Sequence, residues 1–121
     1  SLFEDLSYFK IIEENLEDYI IINKNYINPK LSLKECAKGI NSNEKYLSNY
    51  LNKVMNMNFN TYINNLRIDE AKSLLVSSDS DLYTIEAIAK MAGFNSKSSF
   101  NAVFKKHVGM TPSEFKNKNR R

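Results

Sequence analysis

The stretch KSSFNAVFKK, residues 97–106, carries five side chains able to meet another molecule: Lys97, Ser98, Asn101, Ala102 and Lys105. The last four recur at i, i+3, i+4 and i+7, the spacing of one helix face, while Phe100, Val103 and Phe104 fall on the other side. An Asn amide can pair bidentately with adenine, a Lys ammonium can donate to guanine, and Ala offers a methyl-sized contact to thymine. A solvated helix face has the same spacing, but it usually mixes Glu with Lys. Residues 97–106 contain no acid, which favours a polyanion as the partner.

Upstream, Lys45, Ser48, Asn49 and Asn52 repeat that spacing, with Leu47, Tyr50, Leu51 and Val54 opposite. This face holds little positive charge, so its share of any binding is smaller than that of 97–106. Around the two faces, Ser32, Lys53, Thr84, Lys106 and Lys116 make a set suited to phosphate rather than to bases.

The elements that must position these residues read as helices throughout. Ser32-Leu33-Lys34-Glu35 and Thr111-Pro112-Ser113-Glu114 fit capping boxes, the second with Pro at the first helical position. Asn43, Asn58, Thr84 and Asn95 each precede an apolar-periodic run and read as further N-caps. Near the start, Phe9, Ile12, Leu16 and Tyr19 mark an amphipathic stripe that ends by Asn28-Pro29. No alternating strand pattern of useful length occurs. About seven helices are expected.

The chain also repeats. Leu33, Cys36 and Ala37 fall on Ile85, Ile88 and Ala89 at an offset of 52, and Leu47, Leu51 and Lys53 fall on Phe100, Phe104 and Lys106 at 53. Each copy is a short helix, a turn (Asn41-Ser42 or Gly93-Phe94) and a longer helix, and the second turn is one residue longer. That is the helix-turn-helix plan, whose second helix enters the DNA major groove, although a helical hairpin used only for packing has the same hydrophobic pattern. Between the copies, residues 59–76 read as a single helix of roughly 26 Å. With packing on either side it suits two reading helices about one DNA turn, roughly 34 Å, apart.

Composition sets the outer limits. The 121 residues are 42% hydrophobic and 12% aromatic, a globular balance, with no apolar run long enough for a membrane span and no basic, apolar start of the signal-peptide kind. A single cysteine, Cys36, excludes a disulfide framework and is consistent with a cytoplasmic location. Starting at Ser1 rather than Met, the chain reads as a fragment of something longer. Residues 1–31 hold six acids and three lysines, a net −3, whereas residues 32–121 carry a net +6.

The whole pattern resembles the DNA-binding domain of the AraC/XylS family of bacterial transcription regulators. The residues carrying the resemblance are Leu33 to Ala37, Tyr46-Leu47, Phe59-Asn60-Thr61-Tyr62, Leu66-Arg67-Ile68 with Ala71 and Leu74-Leu75, and Ile88-Ala89 with Gly93-Phe94. Most specific is the close, Phe100 with Phe104-Lys105-Lys106, then Gly109-Met110-Thr111-Pro112-Ser113-Glu114-Phe115. The match runs over about 31–116. It implies an all-α fold of two helix-turn-helix subdomains, homeodomain-like three-helix units, joined by a linker helix. It further implies base-facing roles for Lys45, Ser48 and Asn49 and for Lys97, Ser98, Asn101 and Ala102. Two usual glycines are replaced here, by Asn41 in the first turn and by Asn56 at the end of the first long helix; Asn tolerates the left-handed backbone better than other residues with a Cβ.

The expected organisation is a lead-in helix over 1–30, a first helix-turn-helix over 31–57, the linker helix over 58–77, a second helix-turn-helix with closing helix over 82–118, and a basic tail at 119–121. One His and one Cys make no metal cluster, Cys36 reads as a buried packing residue, and no nucleophile–base set or P-loop is present. No cofactor, metal or catalysis is therefore expected. Arg67 reads as a structural ion pair or cap between the subdomains, with phosphate contact as the alternative. The basic tail, Lys116, Lys118, Arg120 and Arg121, reads as a frayed terminus. Expected partners are double-stranded DNA, a sensing or dimerising domain in the full-length protein, and RNA polymerase. The competing function is a helical protein-interaction module that docks a sensor domain or polymerase subunit through residues 1–30.

Overall fold

Side-chain caps decide where the helices begin. In the structure, a computed structural model that describes residues 2–119, seven α-helices form: α1 Leu2–Leu16, α2 Leu33–Gly39, α3 Glu44–Val54, α4 Phe59–Val76, α5 Ile85–Met91, α6 Lys97–Val108 and α7 Pro112–Lys118. No strand occurs among the described residues, as the all-helical reading requires. Ser32 Oγ accepts from the Glu35 N–H, Asn43 Oδ1 from Tyr46, Asn58 Oδ1 from Thr61 and Thr84 Oγ1 from Ala87, each satisfying a donor that the first helical turn leaves open. At Thr111 the reciprocal box is complete: its hydroxyl accepts from the Glu114 N–H at 3.1 Å, and its own N–H donates to Glu114 Oε1 at 3.3 Å. Helix α6 departs from expectation. Its cap is Ser96, whose Oγ accepts from Ser99, and not Asn95. The extra residue in the second turn moves the cap one place along.

Two compact units divide the chain, Ser1–Tyr62 and Ile63–Arg121, so the division falls inside α4. In the first unit α1 presents Ile12 and Leu16, both buried, and then gives way to a π-helical segment, Glu17–Ile22. A wider turn of this kind brings residue i+4 back to the same face, so Ile20 is fully buried, and Tyr19, expected on the stripe, is only half-buried. The Tyr19 ring instead lies over Gly39, where a Cβ would come within 2.3 Å of it. A 3₁₀ turn, Asn25–Ile27, follows, with Tyr26 buried. Also buried in this unit are Cys36, Ala37 and Ile40 of α2 and its end, and Leu47, Tyr50 and Leu51 of α3. Val54, expected inside, is 53% exposed because α3 ends with it and the chain turns away at Asn56.

The second unit has one continuous core. Ile68, Ala71 and Leu75 of α4 pack with Ile88, Ala89 and Ala92 of α5 and its end, with Phe94 of the turn, and with Phe100 and Phe104 of α6. Aromatic rings run through it in series: Phe94–Phe100 at 5.1 Å between centroids, Phe100–Phe104 at 5.5 Å, and Phe104–Phe115 at 5.6 Å on α7. The first two pairs are tilted and the third edge-on, arrangements that are favourable beyond the area they bury.

Candidate nucleic-acid interface

The repeat is visible residue by residue in the burial. Cys36 and Ile88 are each 0% exposed, as are Leu47 with Phe100 and Leu51 with Phe104. Four residues, 40–43, separate α2 from α3, and five, 92–96, separate α5 from α6. Both turns pass through a left-handed residue, Asn41 at φ +58° and Gly93 at φ +104°. In both, the residue after it reaches back to the short helix: Ser42 N–H to Ala37 O at 2.8 Å, and Phe94 N–H to Ala89 O at 2.9 Å.

With Phe100 and Phe104 directed into the core, α6 turns Lys97, Ser98, Ala102 and Lys105 to solvent and holds Asn101 half-buried at the margin. Its last turn adds Lys106 and His107, both exposed, and the first turn contains no acid. On α3, Lys45 and Asn52 are exposed, Ser48 and Asn49 are half-buried, and the first turn includes Glu44. The α3 face is therefore more neutral and more tightly held, the α6 face more basic and more open.

Among the residues read as phosphate contacts, Ser32 and Thr84 are exposed at the starts of α2 and α5, where their oxygens already cap. Ser32 and Ser48 share a cleft of about 470 Å³ with Asn58, Phe59 and Asn60. In the sequence Asn58 has a capping part and Asn60 a place in the family resemblance, neither of them a place beside Ser48; nothing in local spacing tells that α4 starts there. Lys53 and Lys106 are exposed. Lys116 is turned inward: its ammonium donates to Ser80 O at 3.0 Å and lies 3.3 Å from Asp81 Oδ1, with the side chain 16% exposed. A cation held on a carbonyl and a carboxylate has little left for phosphate, so Lys116 leaves that set. Of the basic tail, Arg120 and Arg121 lie outside the described residues.

Other ionisable groups serve the interior. Burial pushes the Cys36 thiol up to about 12, far from a reactive thiolate. Burial also raises the phenol pKa of Tyr62, Tyr50 and Tyr19 and lowers that of the Arg67 guanidinium, which is half-buried in α4. Among the described residues no group of three or more His, Cys, Asp or Glu could hold a metal, and no helix is long and apolar enough to cross a membrane.

The helix-turn-helix domain family matches residues 36–118, which takes in both turns and both long helices. The chain belongs to this family, in its AraC-type form. It is similar to the melibiose operon regulatory protein of Escherichia coli K12, 32% identical over 95 residues, covering 78% of this chain and 30% of that regulator. The chain spans less than half of the length of the curated relatives it is compared with, 30% of the melibiose regulator and 44% of the regulator YobQ of Bacillus subtilis. Among solved structures its fold is like that of the C-terminal domain of AraT, a response regulator from Geobacillus stearothermophilus, with a TM-score of 0.78, 23% identity, and coverage of 92% of this chain and 87% of that one. It is also like the DNA-binding domain of AdpA, a global transcriptional factor, solved in complex with a target DNA. There the TM-score is 0.70 at 15% identity, covering 92% and 90% of the two chains.

Proposed function

We propose that this chain is the sequence-specific double-stranded DNA-binding domain of a bacterial transcription regulator, with α3 and α6 each entering a major-groove segment. The observation that carries the reading is α6: an acid-free polar and basic face, opposite two phenylalanines that are completely buried. Burial of Phe100 and Phe104 fixes which side faces outward. Family membership and the melibiose operon regulator, a relative that governs an operon by name, support the same reading. Lys97, Ser98, Asn101, Ala102 and Lys105 meet base edges from α6, and Lys45, Ser48, Asn49 and Asn52 do so from α3. Ser32, Lys53, Thr84 and Lys106 hold phosphate. No catalytic step belongs to this function. It is carried out in the cytoplasm, and the larger remainder of such a regulator supplies sensing or dimerisation and contact with RNA polymerase.

The test separates base reading from charge. Asn101→Ala is expected to cost about 1–3 kcal/mol on a selected duplex and little on a scrambled one. Lys106→Ala should weaken both alike and flatten the salt dependence by about one unit. Equal weakening by Asn101→Ala on the two duplexes would make α6 an electrostatic anchor and remove specificity from it. Binding of a protein partner through an apolar groove instead would show little dependence on salt.

A further inference from the structure

In the second unit Phe94 follows the left-handed Gly93, is 4% exposed, and sets its ring at a tilt against that of Phe100, 5.1 Å between centroids, so the turn is nailed to the core under the reading helix. By the repeat register Ser42 stands in the place of Phe94 and Asn41 in that of Gly93. Ser42 has no ring to bury. Asn41 carries a Cβ at φ +58°, a conformation that favours glycine. The first turn thus lacks both the free backbone and the anchor of the second.

Helix α1 supplies the anchor from outside the repeat. The Tyr8 hydroxyl lies 2.6 Å from Ser42 Oγ, immediately after Asn41, and Asn15 Nδ2 donates to Ile40 O at 3.2 Å, immediately before it. The Tyr8 ring continues onto the reading helix, 4.5 Å from the ring of Tyr46 in its first turn. One turn further, Phe9 meets Tyr50 edge-on at 5.7 Å. Both residues flanking the left-handed one, and two successive turns of α3, are therefore held by a single helix. Lys45, Ser48 and Asn49 sit on the segment so held.

We propose that Tyr8 and Asn15 are positioning residues for base reading by α3: a polar staple that does for the first turn what Phe94 does for the second. The inference rests on the DNA-reading function proposed above. Its chemistry differs from that of a buried ring in one respect. Both hydrogen bonds are only partly buried, so they can open without opening the core formed by Ile12, Leu16 and Ile20. The aim of α3 is then set separately from the stability of the unit.

The test uses the 121-residue chain, with Tyr8→Phe combined with Asn15→Ala, and Ile12→Val as a control that loosens the core while leaving the staple. Amide exchange without DNA should quicken at least tenfold over residues 41–47 in the staple variant and stay unchanged over 93–100. On a selected duplex, single base changes in the half-site under α3 should lose at least fivefold of their penalty in that variant, while those under α6 keep theirs. Ile12→Val should preserve both sets of penalties. Unchanged exchange at 41–47 would overturn the staple, and quickened exchange with base penalties intact under α3 would overturn its positioning role. An unsubstituted chain that does not discriminate selected from scrambled DNA would overturn the reading function, and the positioning role with it, whereas a failure confined to the variant touches the staple alone.

Discussion

After each short helix and each long helix of the repeat the backbone turns left-handed: at Asn41 and Asn56 in the first unit, φ +58° and +54°, and at Gly93 and Gly109 in the second, +104° and +84°; Lys24, also left-handed at +52°, lies before the repeat. The same backbone problem has been met with different residues, and the surroundings differ to match. The first unit ties its turn with polar side chains reaching across from α1 and lines its core with Cys36, Leu47, Leu51 and the tyrosines. The second drives a ring into the core at the turn and continues through Phe100 and Phe104 to Phe115 on the closing helix. Two long helices can thus be presented on one plan by different means, a hydrogen-bonded grip or an aromatic series. The first leaves a neutral, closely held face and the second a basic, open one.

Truncation of the central core residue in each unit gives the largest expected effect. Phe100→Ala removes the ring shared by two aromatic contacts and should cost about 3–5 kcal/mol, against about 2–5 kcal/mol for Leu47→Ala, which leaves a smaller void. Urea unfolding followed separately in each unit, by amide signals of α3 and α6, measures both. Should Leu47→Ala cost more than Phe100→Ala, the aromatic series adds nothing to the second unit and the contrast drawn between the cores fails.

Much of this was legible in the sequence because the deciding forces are local. Caps at Ser32, Asn43, Thr84 and Thr111 act over three residues, and the burial of Cys36 with Ile88 or Leu51 with Phe104 follows from helical period alone. Two of the misplacements come from a single residue of register. Asn95 and Ser96 are both good caps, and the longer second turn chose Ser96; the π-helical segment moved the buried position from Tyr19 to Ile20. The bond of Lys116 to Ser80 and that of Tyr8 to Ser42 join residues 36 and 34 apart. No spacing rule reaches that far. The candidate reading faces themselves followed from period and composition, whereas the way each is held did not.

A smaller difference should appear at high pH. Cys36 occupies in the first unit the place of Ile88 in the second, and burial raises its thiol from the ordinary 9.0 to about 12. Below pH 9 the thiol is protonated folded or unfolded, and its stabilising contribution is intact. Between about 9 and about 12 the unfolded chain releases the proton and the folded one keeps it, so stability falls as pH rises, at up to about 1.4 kcal/mol per pH unit. The buried phenols of Tyr50 and Tyr62 act in the same direction above pH 10. Unfolding at pH 8, 9 and 10 should show the loss in the first unit, and Cys36→Ala should flatten it between 9 and 10. An equal loss in the variant would assign the effect to the tyrosines.

The turns themselves offer the finest comparison. At φ +104° Gly93 lies where a Cβ is strained whatever the space around it, and it is buried, so Gly93→Ala should cost about 1–2 kcal/mol or more. Asn41 at φ +58° already carries a side chain in the mildest left-handed region. Replacing it with glycine relieves that strain but gives the unfolded chain more freedom to lose, and the two terms oppose each other. Asn41→Gly should therefore change stability by less than about 1 kcal/mol in either direction. Urea unfolding of the two single variants and of the double variant, which is expected to be additive, decides the matter. If Gly93→Ala proves as mild as Asn41→Gly, Phe94 alone fixes the second turn and its backbone sign is incidental. If Asn41→Gly costs as much as Gly93→Ala, the Asn side chain contributes a contact of its own, and the first turn is held from within as well as by α1.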